Sequence, residues 1–337
     1  MLHCENWRSG KKNIRPVVLT AIIAVAAFAN FACDEQETNP YNNLTLDAYS
    51  DMVRSEYVLS LSDIRQEIAR LSAKDKDGSP VDRQVYSYYT EKRPLLWVSR
   101  MGVDVQADTL LYYIKEVGRM GFSRQAFYAD AISREIDKVR SLHFDSLTPA
   151  HKVYAALEYM LTKAYLRYAT GQRYGYINPT TVLNGLDPQN TDTLGRALSY
   201  RQLFDVDMEH PDRHWYDRAL SAVPSDSVAE LLHDVQPVDH LYKQLERELL
   251  LPSTGFSRQR LICNMERRRW RVMKHPSASE KHVIVNIPAY HLWAIGPDET
   301  VDMKIGCGTL KTKTPLLTSA IEYMQVNPEW NISFCAR

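Results

Sequence analysis

From His282 to Ile305 the sequence follows a pattern that a β-sheet satisfies and a helix does not. His282-Val283-Ile284-Val285-Asn286-Ile287 is rich in β-branched residues and ends at Pro288, which has no N–H to give to a ladder. Tyr290 to Ile295 reads as a second strand, turned at Gly296-Pro297-Asp298. Val301, Met303 and Ile305 point one way while Asp302 and Lys304 point the other, the signature of a half-buried strand. Ala320 to Val326 is expected to give a fourth. Four strands of a meander leave unpaired edges that complete domains cover or charge. The stretch therefore reads as the opening part of an all-β unit.

Upstream of it the periodicity changes to that of helices. Met52, Val53, Tyr57, Ile64, Ile68 and Leu71 keep a rough 3.6 spacing, and Lys74 to Pro80 is a charged break. A helix from about Asp108 carries Leu110, Leu111, Ile114, Val117 and Met120, weakened at its end by Gly118 and Gly121. Thr148 and Pro149 read as cap and first position of the next, whose buried stripe is Val153, Leu157, Met160, Leu161, Ala164 and Tyr168. Val228, Leu231 and Leu232 start another, and Leu241, Leu245 and Leu249 form a last one. The intervening residues 174–215 are rich in turn signals and yield little. His210 and His214 have the spacing of two ligands on one helix face, but Pro211 and the lack of a third nearby ligand argue against a metal there. No metal and no cofactor is expected.

Composition narrows the class further. The apolar fraction of 45% supports a packed core rather than disorder. Basic and acidic residues both number 41, so no overall field favours nucleic acid. The 20 tyrosines, many at helical spacing, suit helices packed against one another.

Residues 1–33 read as an export signal. Lys11, Lys12 and Arg15 flank an uncharged run from Val17 to Ala29, short of the roughly 20 residues of a transmembrane helix. Cys33 follows Ala32 and precedes Asp34, which suits a lipoprotein site where the thiol is acylated. Cleavage after Ala27-Phe28-Ala29 is the other reading, and both put the mature chain in the cell envelope, the first as a membrane-anchored periplasmic lipoprotein. Residues 34–50 are a polar tether.

Five segments in order carry a resemblance: Asn264-Met265-Glu266-Arg267 with Trp270-Arg271, Val285-Asn286-Ile287-Pro288-Ala289, Lys313-Thr314-Pro315, Ser319-Ala320-Ile321-Glu322-Tyr323, and Asn327-Pro328-Glu329-Trp330-Asn331. Together they resemble the large murein L,D-transpeptidases, in which a helical scaffold precedes the catalytic domain. Trp97 with Arg93-Pro94-Leu95, Gly121-Phe122 and Gly171-Gln172-Arg173 resemble scaffold landmarks of that family. The resemblance implies an α+β chain: a mainly helical scaffold domain over residues 51–260, then the first part of an all-β L,D-transpeptidase catalytic domain over residues 261–337. Only Leu251 to Arg260 lies where many members carry a peptidoglycan-binding module.

The reaction implied is Cys-dependent acyl transfer between peptidoglycan peptide stems. A thiolate attacks the carbonyl carbon of the third stem residue, D-Ala leaves as the amine, and the thioester passes to an amine of a neighbouring stem. The family's nucleophile lies in a Ser-x-Gly-Cys-x-Arg motif preceded by a His. Cys335-Ala336-Arg337 mimics its end, but Phe334 stands in place of the Gly and no His precedes it. Cys307 is read as structural, Cys263 has no Cys-x-x-Cys partner, and His282 and His291 are read as strand residues; no catalytic residue is assigned. The match is dense to Asn331 and then stops, so the reading frame is expected to be cut short and the chain inactive. A non-catalytic periplasmic lipoprotein whose scaffold binds peptidoglycan or a protein partner is the alternative.

Overall fold

The computed structural model describes residues 59–144, 148–252 and 255–327. Residues 1–33, read as an export signal ending at Cys33, residues 34–50, read as a tether, and Cys335 lie outside these, as do residues 328–331. The first helices are α1 (Leu61–Ser72), α2 (Pro80–Thr90), α3 (Gln106–Lys115), α4 (Ala129–Arg140) and α5 (Ala150–Tyr174). Two short strands, β1 (Val98–Ser99) and β2 (Gly102–Val103), form a hairpin between α2 and α3.

Helix α5 is the axis of this body. Its 25 residues span about 37 Å at 1.5 Å per residue, and it is buried on nearly every side, as expected of a helix that other helices surround. Helices α1, α2, α3 and α4 pack directly on it. The sequence accounts for the first two starts. Ser60 Oγ accepts from Asp63 N–H to open α1, and Ser79 and Asp82 form a reciprocal capping box on α2. Helix α5 opens at Ala150, one residue later than expected, with Pro149 extended before it. The helix expected from Asp108 is α3, and its Val117–Met120 continuation tightens to a 3-10 turn. Helix α4 was not legible in the sequence.

Glu158 sits at the middle of α5 with no exposed surface. Its carboxylate accepts the N–H groups of Leu96 (2.7 Å), Trp97 (2.8 Å) and Val98 (3.2 Å) and the hydroxyl of Tyr89 (2.8 Å). Trp97, also fully buried, donates from Nε1 to Thr162 Oγ1 at 3.0 Å. These bonds bind the α2–β1 connection to the core. Burial raises the Glu158 carboxyl above its ordinary value, and the donors around it offset part of that effect. At the far side Lys163 is paired with Asp75 and, at 3.2 Å, with Asp82.

The second half contains α6 (Pro179–Asn184), the hairpin β3 (Pro188–Thr191) and β4 (Ala197–Tyr200), and β5 (Phe204–Asp205). Helices α7 (Arg213–Ser221), α8 (Val228–Asp234) and α9 (His240–Leu250) follow, then α10 (Arg258–Arg269). Leu249 and Tyr242 supply the buried face of α9, whereas Leu241 is 51% exposed.

The C-terminal part is a three-stranded antiparallel sheet in the order β6 (His282–Asn286), β7 (His291–Ile295) and β8 (Thr300–Lys304). Those strands match the expected ones. The fourth does not: residues 320–326 form no strand, and the next strand is β9 (Leu316–Leu317), which pairs in parallel with β5 of the helical half. Its backbone N–H groups find a partner there, with Leu316 donating to Leu203 C=O at 2.8 Å and Thr318 to Asp205 C=O at 3.2 Å. A second backbone link joins the halves where Met208 bridges Val272. The architecture is α+β. Among the described residues no helix is long and apolar enough to cross a membrane.

Candidate functional site

The Asn264-to-Trp270 segment, expected to open the sheet unit, instead forms the last turn and a half of α10, with Trp270 as its C-cap. The expected boundary at residue 260 falls inside this helix. Leu261 and Met265 belong to the same buried cluster as the scaffold helices. The helix is capped by Ser257, whose Oγ accepts from Arg260 N–H.

Glu266 and Arg269 are the polar members of that face, 6% and 2% exposed. Glu266 Oε1 accepts the N–H groups of Tyr176 (2.6 Å) and Ile177 (2.8 Å), just past the end of α5. Arg269 donates to Glu266 Oε2 (3.1 Å), Gln172 Oε1 (3.1 Å) and Tyr242 Oη (2.7 Å). Its guanidinium also faces the rings of Tyr242 and Tyr176 at 5.1 and 5.2 Å. Burial pushes both of those phenols up, Tyr176 well above its ordinary value. Arg268, on the outer face, binds both carboxylate oxygens of Asp239, at 2.8 and 2.7 Å. That contact holds the Asp239 carboxyl below its ordinary value while Asp239 caps α9 through Tyr242 N–H.

Gly175 is what lets this joint close. It has φ +93°, and a Cβ there would lie 2.7 Å from Trp270 and 2.9 Å from the Glu266 carboxylate. The sequence pattern Gly-Gln-Arg, read as a helix stop, extends to Tyr174 with Gly175 as the terminator.

The sheet beyond the joint has two unlike faces. The register stacks Val283, Ala294 and Val301 in one row and Val285, Leu292 and Met303 in the next. One face is therefore wholly apolar, yet Val283, Val301 and Met303 remain 37%, 45% and 48% exposed. The opposite face carries Ile284, Trp293 and Ile295 beside His282, Asn286, His291, Thr300, Asp302 and Lys304. There His291 Nε2 donates to Asp302 Oδ2 at 2.9 Å and its ring lies 4.7 Å from that of Trp293. The half-buried pattern expected of β8 is thus correct in its alternation, but the apolar side has no cover among the described residues.

The Lys313-Thr314-Pro315 turn is tied back to the helical half. Lys313 Nζ lies 3.4 Å from Asp187 Oδ1, Arg201 donates to Lys311 C=O at 2.9 Å, and Thr314 Oγ1 accepts from Gly308 N–H at 2.8 Å. Ser319 to Tyr323 joins no ladder, with Ile321 66% and Tyr323 81% exposed.

Cys263 is exposed on α10, and Cys307 follows β8 with its thiol 3.8 Å from Ile287 C=O. His282 Nδ1 lies 2.9 Å from Ser279 C=O. Among the described residues no hydrogen bond joins a cysteine to a histidine, and no group of three or more His, Cys, Asp or Glu is placed to hold a metal. His210 lies in the loop before α7 and His214 on α7. Sequence reasoning missed the joint itself: Glu266 and Arg269 are three residues apart, a helical spacing that was available.

Residues 83–249 match the family model of the Scaffold domain. A stretch of 128 residues is 28% identical to a Haemophilus influenzae protein provisionally named an L,D-transpeptidase; it covers 36% of this chain and 25% of that protein. The chain thus spans about a quarter of the length of the curated relative it matches. No solved structure matches the chain. The scaffold match and this relative together support an L,D-transpeptidase-family protein.

Proposed function

We propose that the chain works in the cell envelope on peptidoglycan, as the scaffold and the opening sheet of an L,D-transpeptidase, and that no cysteine of the 337 residues is itself the acyl-accepting nucleophile. The observation that carries this reading is the buried Glu266–Arg269 joint. It builds the Asn-Met-Glu-Arg segment, the start of the stretch resembling the transpeptidases, into the core of the matched scaffold domain. The uncovered apolar row of Val283, Ala294 and Val301 supports the same reading, because a sheet face of this kind is stable only under a further layer. Among the described residues no hydrogen bond joins Cys263 to a base, and the Cys307 thiol points at the Ile287 carbonyl rather than at a histidine. The family reaction needs a thiolate, a base and oxyanion donors together.

The chain is exported and held at the membrane by acylation of Cys33, on the strength of the Val17–Ala29 run and Ala32 before it. Co-sedimentation of the purified chain with isolated peptidoglycan tests the substrate class. Saturable binding, reduced when the stems are removed enzymatically, is expected. Retention in the supernatant at all concentrations overturns the proposal.

A further inference from the structure

A cavity of 330 Å³ opens in the scaffold between α1 and the β1 hairpin. Its floor is apolar: Ile64 is 5% and Val98 6% exposed, and Leu59 and Leu95 complete it. Two cations stand in its wall, Arg65 on α1 and Arg100 in the hairpin. Neither makes an ion pair or side-chain hydrogen bond among the described residues, although Arg70, Arg93, Arg140 and Arg268 each have an acidic partner. Arg65 Nε is buried and has no acceptor. A buried donor left in this state is costly, and an anion in the cavity supplies the missing acceptor.

The hairpin side of the wall is held by hydrogen bonds within the scaffold. Glu158 fixes the N–H groups of Leu96, Trp97 and Val98 from beneath, and Tyr88 donates to Pro94 C=O at 2.8 Å. Val98 and Ser99 are paired with Val103 and Gly102. A preformed wall leaves little to be ordered on binding, which favours affinity. The volume sits at the small end of the range of about 300–1,000 Å³ typical of ligand pockets, enough for one aliphatic chain and too little for two.

We infer that this cavity binds an amphiphile with a single medium-length aliphatic chain and an anionic head, the chain lying against Ile64, Leu95 and Val98 and the head against Arg65 and Arg100. The inference is independent of the transpeptidase reading. Free fatty acids and singly acylated anionic phospholipids share this chemistry.

Titration calorimetry on the full 337-residue chain, with laurate, lauroyl-lysophosphatidylglycerol and dodecanol below their micelle concentrations, tests it. Saturable one-site binding of at least one anionic probe is expected, and the tighter of the two identifies the source. Dodecanol should bind about tenfold more weakly or worse. Arg65→Gln and Arg100→Gln should each weaken the anionic probes about tenfold and leave dodecanol unchanged. Leu95→Trp, which fills the floor, should abolish binding of all three. Arg100 lies at the exposed rim, so Arg100→Gln decides the matter if Arg65→Gln fails to fold. Absence of saturable anionic binding, equal affinity for dodecanol, or binding unmoved by Arg100→Gln or Leu95→Trp each overturns the inference.

Discussion

Glu266 and Arg269 lie one helical turn apart on α10, 3.1 Å between their charged atoms, and each reaches past the other to a different helix. Glu266 takes the backbone N–H groups that follow α5, and Arg269 ties Gln172 of α5 to Tyr242 of α9. The pair is therefore a joint between three helices as well as an ion pair. Its value lies in complete satisfaction, because a buried ion pair adds little over an apolar one while a half-broken pair is strongly destabilising.

Removing one partner should show this asymmetry. Arg269→Met leaves the Glu266 carboxylate buried without its charge partner and should cost about 3–5 kcal/mol. The double change Glu266→Gln with Arg269→Met should cost less than the sum of the single changes. Urea denaturation followed by circular dichroism checks both, and additivity of the two changes would contradict the joint.

Gly175→Ala adds a second test of the same region. The added Cβ would meet Trp270 and Glu266 at a residue with φ +93°. With ψ 155° as well, Gly175 lies in a region essentially restricted to glycine, so destabilisation is expected, the strain of about 1–3 kcal/mol adding to the clash. A neutral effect in thermal melts would show that α10 docks more loosely than described.

Glu158 sets a pH dependence. Burial raises its carboxyl above the ordinary 4.5, so the folded chain holds this proton more tightly than the unfolded chain does. Its contribution to stability is present below about 4.5 and is lost as pH rises through the raised folded value. Glu158→Gln should abolish that slope. The same change also turns an amide N–H₂ toward N–H groups that need acceptors, costing about 1–3 kcal/mol. Comparing unfolding free energies of the two forms across the acidic range checks the sign, and a parallel pH profile in both would contradict it.

Much of the helical half was legible because its signals are local. Leu110, Leu111 and Ile114, and Val153, Leu157 and Leu161, encode their elements within a few residues. The strands β6 to β8 were legible for the same reason, since alternation and the Gly296-Pro297 turn act over short range. The features concealed in the sequence are tertiary. Leu316 and Leu317 become a strand only because Phe204 and Asp205 offer an edge more than a hundred residues earlier. Ala320 to Val326 has good strand composition and no such edge, so composition misled. Asn264 to Arg269 was read by its resemblance rather than by the helical placement of Leu261, Met265 and Arg269, which all face inward.

The two halves should differ in local stability. β9 rests on two residue pairs, with Leu316 and Leu317 45% and 57% exposed, whereas Tyr154, Leu157 and Leu161 of α5 are buried. Native-state hydrogen exchange should release the amides of Leu316 and Thr318 well before those of α5. Equal protection would mean that the sheet is held by contacts other than those seen.

Export chemistry gives a separate prediction. In cells with lipoprotein processing, labelled palmitate should enter the chain, and Cys33→Ser should abolish the label. Labelling that persists in the variant would remove Cys33 from that role.

Intact-mass spectrometry of the 337-residue chain with a carbapenem, the inhibitor class that the family resemblance implies, tests the central claim most directly. Joined scaffold and sheet without a working nucleophile predict an unmodified mass after prolonged incubation. A single stoichiometric adduct that disappears on Cys263→Ser, Cys307→Ser or Cys335→Ser would contradict the account and name the nucleophile.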